Sequence, residues 1–296
     1  MALVMLTGCG STTSKYVAQT DKGSVTGDEF IKKLDTPETE YKFLLNEIYK
    51  KKYPTTKEMK KQKEERMKAV KAQFKSESSM KKYLSLSEFS SLEDYGKQYV
   101  DYLKREKFIK DYVSKNFDKV FADYNKNGKP RKIYMITVPY TPKTSAKQKK
   151  KLAEVQKYIK KHGFVKAAKK YMNENEKYGS LGIIDKINTN YLDSYASGLS
   201  KATFKLKEGQ STKFMKGKGF YAATYDAESD TKKLKKEMKS LPDSSPLLTY
   251  KTSLEYEAFK ALGIKYEHNA KKMKSYIDGQ ISSGNAAMQN SIGGAK

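Results

Sequence analysis

One cysteine and two histidines supply all the thiol and imidazole chemistry in this 296-residue chain. Cys9 closes an apolar run from Met1 to Leu6 through Leu6-Thr7-Gly8-Cys9, a bulky apolar residue and two small ones before the thiol. Small residues at those places let the backbone enter a signal peptidase, and the thiol can then take a diacylglyceryl group. As the sole cysteine it has no partner for an intrachain disulfide. An unmodified exposed thiol would be a liability outside the cell. Lipidation is therefore the chemistry expected at Cys9. His162 and His268 fall in a helix–helix turn and in a C-terminal helix, where surface or capping roles are expected. Metal centres need clustered His, Cys or carboxylates, and two scattered histidines cannot supply one. No Ser/His/Asp or Cys/His nucleophile set can be assembled. Gly217-Lys218-Gly219 lacks the Lys-Ser/Thr pair that opens a helix after a phosphate loop. No cofactor and no metal are expected.

The formal net charge is +26, mostly from lysine. Such an excess calls for an anionic neighbour. Nucleic acid is excluded as the partner, because the lysines are spread over nearly every segment and arginines are few. Lipid headgroups and the anionic polymers of a cell wall fit an exported lipoprotein better. A secretory signal has a basic n-region and an apolar core of about 7–15 residues; here no Lys or Arg precedes Cys9. The reading is that residues 1–8 are a truncated lipoprotein signal with an internal start. No other stretch approaches the ~20 apolar residues of a membrane span.

The elements that would carry any site follow in order. Residues 9–23 are a small, polar tether. Thr26 or Asp28 is placed to cap a helix carrying Phe30, Ile31 and Leu34. Thr39 to Lys52 sets Tyr41, Leu44, Leu45, Ile48 and Tyr49 on one helical face. A charged helix follows over Lys57–Ser76, another segment begins at Met80, and a long helix is expected from Ser91 to Phe121. Asn125-Lys126-Asn127-Gly128-Lys129-Pro130 reads as a linker. Residues 24–128 thus form an all-helical lobe with aromatic and methionine surface, suited to varied apolar partners.

Residues 129–228 open with a strand, Ile133-Tyr134-Met135-Ile136-Thr137-Val138, stopped by Pro139 and Pro142. Two helical patterns split by His162-Gly163 follow, then Tyr178-Gly179-Ser180-Leu181-Gly182. A short helix ends at Lys207-Glu208-Gly209, and a strand pair turns at Gly217-Lys218-Gly219. Helices packed on an antiparallel sheet are expected. Residues 229–278 read as C-terminal helices. Residues 279–296 read as a disordered tail.

Three segments carry a resemblance. Gly179-Ser180-Leu181-Gly182 matches the parvulin pattern Gly-Gly-Asp-Leu-Gly. Ala202-Thr203-Phe204-Lys205-Leu206-Lys207-Glu208-Gly209-Gln210-Ser211 matches its Ala-Phe-x-Leu-x-x-Gly-x-x-Ser, and Gly219-Phe220-Tyr221 stands where parvulins have Gly-Tyr-His. The middle region resembles the parvulin peptidyl-prolyl isomerases, and nearly the whole chain resembles the PrsA-type foldase lipoproteins of Gram-positive bacteria. The resemblance implies an α+β fold: a discontinuous helical chaperone lobe, built from the N-terminal helices and the C-terminal helix, with a parvulin-like domain inserted in it.

The resemblance also implies site residues. The two parvulin histidines fall on Met135 and Tyr221, so neither imidazole remains. The acidic position falls near Glu174, and the proline-pocket Met and Phe fall on Tyr195 and Leu199; Phe204 completes the apolar set. Tyr221 and Glu174 would be the catalytic remnant, with Met135, Tyr195, Leu199 and Phe204 binding substrate. Weak or absent isomerase activity is expected. The partners implied are unfolded or folding secreted proteins, the membrane through the lipid anchor, and wall polymers; a homodimer is among the arrangements allowed. The location implied is the extracellular face of the cell membrane. Two other functions stay open: an active peptidyl-prolyl cis-trans isomerase, and a basic wall-binding or adhesive lipoprotein.

Overall fold

The computed structural model describes residues 18–20, 23–25, 36–140, 145–172, 180–241, 246–266 and 269–293. Cys9, Glu174, His268 and the expected helix with Phe30, Ile31 and Leu34 lie outside them. The chain divides into two compact units. Unit 1 is Met1–Lys104 with Gly263–Gly279; unit 2 is Arg105–Leu262 with Gln280–Lys296. These divisions do not follow the sequence boundaries at 128 and 228.

Unit 1 holds a small antiparallel hairpin, β1 (Ala18–Thr20) and β2 (Gly23–Val25). Its helices are α1 (Pro37–Lys52), α2 (Lys57–Ala72), α3 (Glu77–Leu86) and the first half of α4 (Leu92–Lys115). The first three start on a hydroxyl. Thr36, Thr56 and Ser76 accept from the backbone N–H of Thr39, Met59 and Ser79, satisfying donors that a helix leaves free at its first turn. Pro37 sits at the start of α1, where its missing N–H costs nothing. Tyr41, Leu45 and Tyr49 are buried at four-residue spacing along α1, the face expected from the sequence.

Unit 2 begins with the second half of α4 and with α5 (Phe117–Gly128). The helix expected to run on to Phe121 stops at Asn116, whose backbone leaves the helical region (φ −118°, ψ 27°) and whose amide nitrogen donates to Tyr112 O. The stretch 125–130, expected as a linker, is not one. It is mostly the last turn of α5, closed by Lys129 in the left-handed region and held by Asn127, which donates to Asp123. Burial of Val120, Phe121 and Tyr124 outweighs the turn-forming residue types.

The sheet of unit 2 is four-stranded, antiparallel and ordered β4-β3-β6-β5, with β3 (Arg131–Pro139), β4 (Ser180–Ile184), β5 (Met215–Lys216) and β6 (Phe220–Glu228). Side chains alternate between its faces. One face takes Ile136, Val138 and Ala223 against Val155, Phe164, Ala167 and Ala168, which lie on α6 (Ser145–His162) and α7 (Phe164–Tyr171). Gly163 joins those helices at φ 85° and ψ 160°, a backbone state that glycine alone adopts without strain. The other face takes Ile133, Met135 and Ala222 against Leu192 and Leu199. These come from a 3-10 turn (Asn190–Ser194) and α8 (Leu199–Thr203).

The chain continues through α9 (Thr231–Ser240), a 3-10 turn (Pro246–Leu248), α10 (Leu254–Lys260) and α11 (Ala270–Gly293). The expected disordered tail is overturned up to Gly293, because α11 is helical there. In unit 1 it buries Met273 and Ile277; in unit 2 it buries Gly284 and Met288. Those positions are spaced by four, seven and four residues, a helical face that the surrounding Gly, Ser, Asn and Ala conceal. Residues 229–262, expected to pack on the N-terminal lobe, fall in unit 2, where Lys132–Glu237 and Lys235–Asp118 ion pairs tie α9 to β3 and α5.

Candidate functional site

The best-built surface of unit 2 is the sheet face that carries Met135. Its floor is β3 and β6, with Met135 paired to Thr224 and Thr137 to Ala222. The 3-10 turn and α8 wall one side. Thr203 Oγ1 donates to Leu199 O at 2.7 Å and lies 2.8 Å from Thr224 Oγ1, and both threonines are fully buried. That hydroxyl pair stitches α8 to β6. Tyr195, Phe204 and Met215 are half-buried against the same core. The Tyr195 and Phe220 rings sit 5.7 Å apart and form the accessible aromatic ledge, with Tyr191 exposed beside them.

The structure separates residues that the sequence joined. Met135 and Leu199, expected to touch substrate, are 1% and 0% exposed; they are floor, not lining. Tyr195 and Phe204 keep partial exposure. Tyr221 pairs with Val138 and packs with the α6–α7 side, so it stands on the opposite face from Met135 and meets the Tyr140 ring at 5.3 Å. The Met135/Tyr221 pair therefore cannot face one substrate. The residue that alternation brings onto the Met135 face is Phe220, which the sequence reading missed. Its place follows from the β3–β6 register, where a one-residue shift flips every side chain. His162 stacks against Tyr158 on the surface and does no work at this site.

At the far end of β3 and β6 from the ledge lies a buried ion pair. Arg131 Nη1 donates to Asp226 Oδ2 at 2.9 Å and to the carbonyl oxygens of Thr203 and Leu206. Its guanidinium also lies 5.1 Å from the centroid of the Phe204 ring, a cation–π contact. Arg131 Nε and Asp226 Oδ1 are buried without a hydrogen-bond partner in the protein. Burial raises the Asp226 carboxyl above its ordinary value, against the pull of Arg131. Burial likewise lowers Arg131. This pair positions the corner after α8. Asp185 is equally structural: it accepts from Tyr124 Oη and from the backbone N–H of Ile187 and Asn188. Among the described residues no group of His, Cys, Asp and Glu could hold a metal. The site can bind apolar groups and form hydroxyl hydrogen bonds; among the described residues it has no acid–base pair.

A cavity of about 530 Å³ elsewhere in unit 2 is lined in part by Tyr112, Lys119, Asp123, Tyr250, Lys251 and Glu257. Lys251 reaches Asp123 and Glu257, each at 2.7 Å. Tyr250 Oη donates to Asp123 and Tyr112 Oη to Glu257. Burial would raise Asp123, but hydrogen bonds from Lys251 and Tyr250 hold it below its ordinary value. The charges answer one another, and the network reads as a joint. Burial, then the Glu257 charge, pushes Tyr112 up to about 12, and burial raises Tyr124 and Tyr250 as well. A phenol whose folded value lies above its unfolded one resists ionisation in the fold, so stability is lost as pH rises from the unfolded value, about 10. Unit 2 is expected to lose stability from about pH 10 upward, and Tyr112→Phe to flatten part of that loss. Tyrosinate absorbance followed beside circular dichroism checks it.

No protein-family model matches the chain, and no curated protein does. Solved structures do match it. Its structural neighbours are PrsA structures. PrsA from Bacillus subtilis is 21% identical, covering 96% of this chain and 92% of its own, with a TM-score of 0.39. Foldase protein PrsA from Streptococcus pneumoniae is 15% identical over 90% of this chain and 100% of its own, with a TM-score of 0.42. Foldase protein PrsA from Lactococcus lactis is 13% identical over 89% and 99%, with a TM-score of 0.39. Among the described residues no helix is long and apolar enough to cross a membrane.

Proposed function

We propose that this protein is a foldase of the PrsA type, tethered outside the cell by a diacylglyceryl group on Cys9, that holds emerging secreted chains while its parvulin-like domain isomerises proline weakly or not at all. The observation that carries the second half is the identity of the Met135 face: a thioether stands buried where an imidazole is expected, and Tyr221 points the other way. Prolyl isomerisation has a barrier of about 18–20 kcal/mol set by amide resonance. Twisting the imide in an apolar slot is still open to Tyr195, Phe204 and Phe220. The paired imidazoles that would tune its hydrogen bonds are gone. The segment Ala202–Ser211 supports the parvulin reading, as do the four antiparallel strands with helices on both faces.

Holding is the part assigned to the helices. Phe43 and Leu86 of unit 1 are 64% and 78% exposed, large apolar side chains open to a client in this reading. In this reading the lobe is discontinuous, with the parvulin-like domain inserted between its N-terminal helices and its C-terminal ones. Its clients are unfolded secreted proteins, and its lysines keep it near anionic lipid and wall polymer. A protease-coupled proline-peptide assay on the full chain tests the catalytic half: turnover indistinguishable from the uncatalysed rate is expected, and rates near those of an active parvulin would overturn it. Suppression of aggregation of an unfolded secreted substrate tests the holding half, and its absence would overturn that.

A further inference from the structure

We infer that the solvent face of the α6–α7 helical pair is a docking surface for a flexible linear polymer bearing one phosphate per repeat and no aromatic base. Residues 145–171 carry ten lysines and a single carboxylate, Glu154, a net +9 of the chain's +26. Lys150, Lys157 and Lys161 follow one another at i, i+7 and i+11 and share one exposed helical face. Lys166, Lys169 and Lys170 do the same on α7. At 1.5 Å per residue, α6 extends this cationic edge over about 27 Å. The lysines of α9 make a useful contrast: Lys233 pairs with Glu208 and Glu228, and Lys235 with Asp118. On α6 and α7 the one available carboxylate is taken by Lys151 and Tyr171, so the remaining charge is directed outward.

The chemistry of the face selects among anions. An interfacial helix binds a bilayer by burying apolar side chains in it, and here the apolar side of the pair is spent on the sheet, through Val155, Phe164, Ala167 and Ala168. Single-stranded nucleic acid needs open aromatic faces on which bases stack. The Tyr158 and Tyr171 rings meet edge to face at 5.5 Å and are covered by Lys170 and Lys151, at 4.2 and 4.7 Å from their centroids. Among the described residues of the pair neither tyrosine presents an open face, and the His162 ring is itself packed on Tyr158. Lysine is a point charge without the planar fork that would demand one anion geometry. A row of such charges suits a polymer whose phosphates slide in register. This deepens the wall-polymer part of the preceding reading, yet the charge distribution alone carries it: the aggregation and proline assays can succeed while this fails, and the reverse.

The test is titration of the full chain with fluorescently labelled poly(glycerol phosphate) at two salt concentrations. Binding is expected to fall as salt rises, by release of condensed counterions. The triple variant Lys150→Gln, Lys157→Gln, Lys161→Gln should bind roughly 50-fold more weakly near 0.15 M salt, taking three phosphate contacts at the single-strand slope. A control with the same net charge, Lys60→Gln, Lys61→Gln, Lys68→Gln on the exposed side of α2, should lose less than about threefold. Equal losses in both variants, or none in the first, would overturn the assignment. So would phosphatidylglycerol vesicles or oligo-dT binding as tightly as the polymer and showing the same α6 dependence, which would give the face to a bilayer or to nucleic acid.

Discussion

Asp226→Asn is expected to destabilise unit 2 by about 3–5 kcal/mol, the usual cost of breaking a buried ion pair from one side. The carboxylate is wholly buried and Arg131 nearly so, so the variant strands a guanidinium whose Nε already lacks a partner. The remaining acceptors are carbonyl oxygens of Thr203 and Leu206, which cannot neutralise it. The double variant Arg131→Met with Asp226→Leu should recover most of the loss, since apolar replacements of buried pairs are often neutral or better. Urea denaturation at neutral pH, followed by circular dichroism, reads both variants. A loss below 1 kcal/mol would show that the pair is not a fastener.

Gly217→Ala should cost about 3 kcal/mol or more, at the upper end for forced overpacking. A β-carbon at Gly217 would stand 1.7 Å from Tyr195 O and 2.7 Å from its carbonyl carbon. Backbone, not a flexible side chain, is what it meets, so the β5–β6 turn would have to withdraw from the 3-10 turn. That withdrawal would part Phe220 from Tyr195 and dismantle the aromatic ledge. Gly219→Ala, two residues on, meets nothing within 4 Å and serves as the near-silent comparison. Thermal melts of the two variants decide the matter: equal midpoints would mean that the close approach is absent in solution.

Much of the fold was legible because period and burial agree. The alternation in β3 puts Ile133 and Met135 on one face and Tyr134 and Ile136 on the other, and the four-residue spacing of Tyr41, Leu45 and Tyr49 marks α1. Where residue types pulled against burial, the reading failed. Asn125–Pro130 has the composition of a linker, but Tyr124 is fully buried and donates a hydrogen bond to Asp185, and that packing carries the helix to Gly128. The small residues after Gly279 likewise conceal Met288, which is 5% exposed. The break at Asn116 leaves the apolar period almost undisturbed and so gave no signal. At the site, residue matching supplied Gly219-Phe220-Tyr221 but not its parity: register is a property of strand pairing, with an irregularity between Lys132 and Ile133, and no local pattern reports it.

The Met135 face has a consequence for the conditions under which it can work. Thioether, methyl and phenyl groups make up its floor, and such groups carry no proton to gain or lose in water. A grip made of such groups is indifferent to acidification of the surrounding medium, whereas an imidazole pair would lose its neutral form there. What the face gives up in proton handling it gains in constancy: contacts made to that floor in acid are the same contacts as at neutrality.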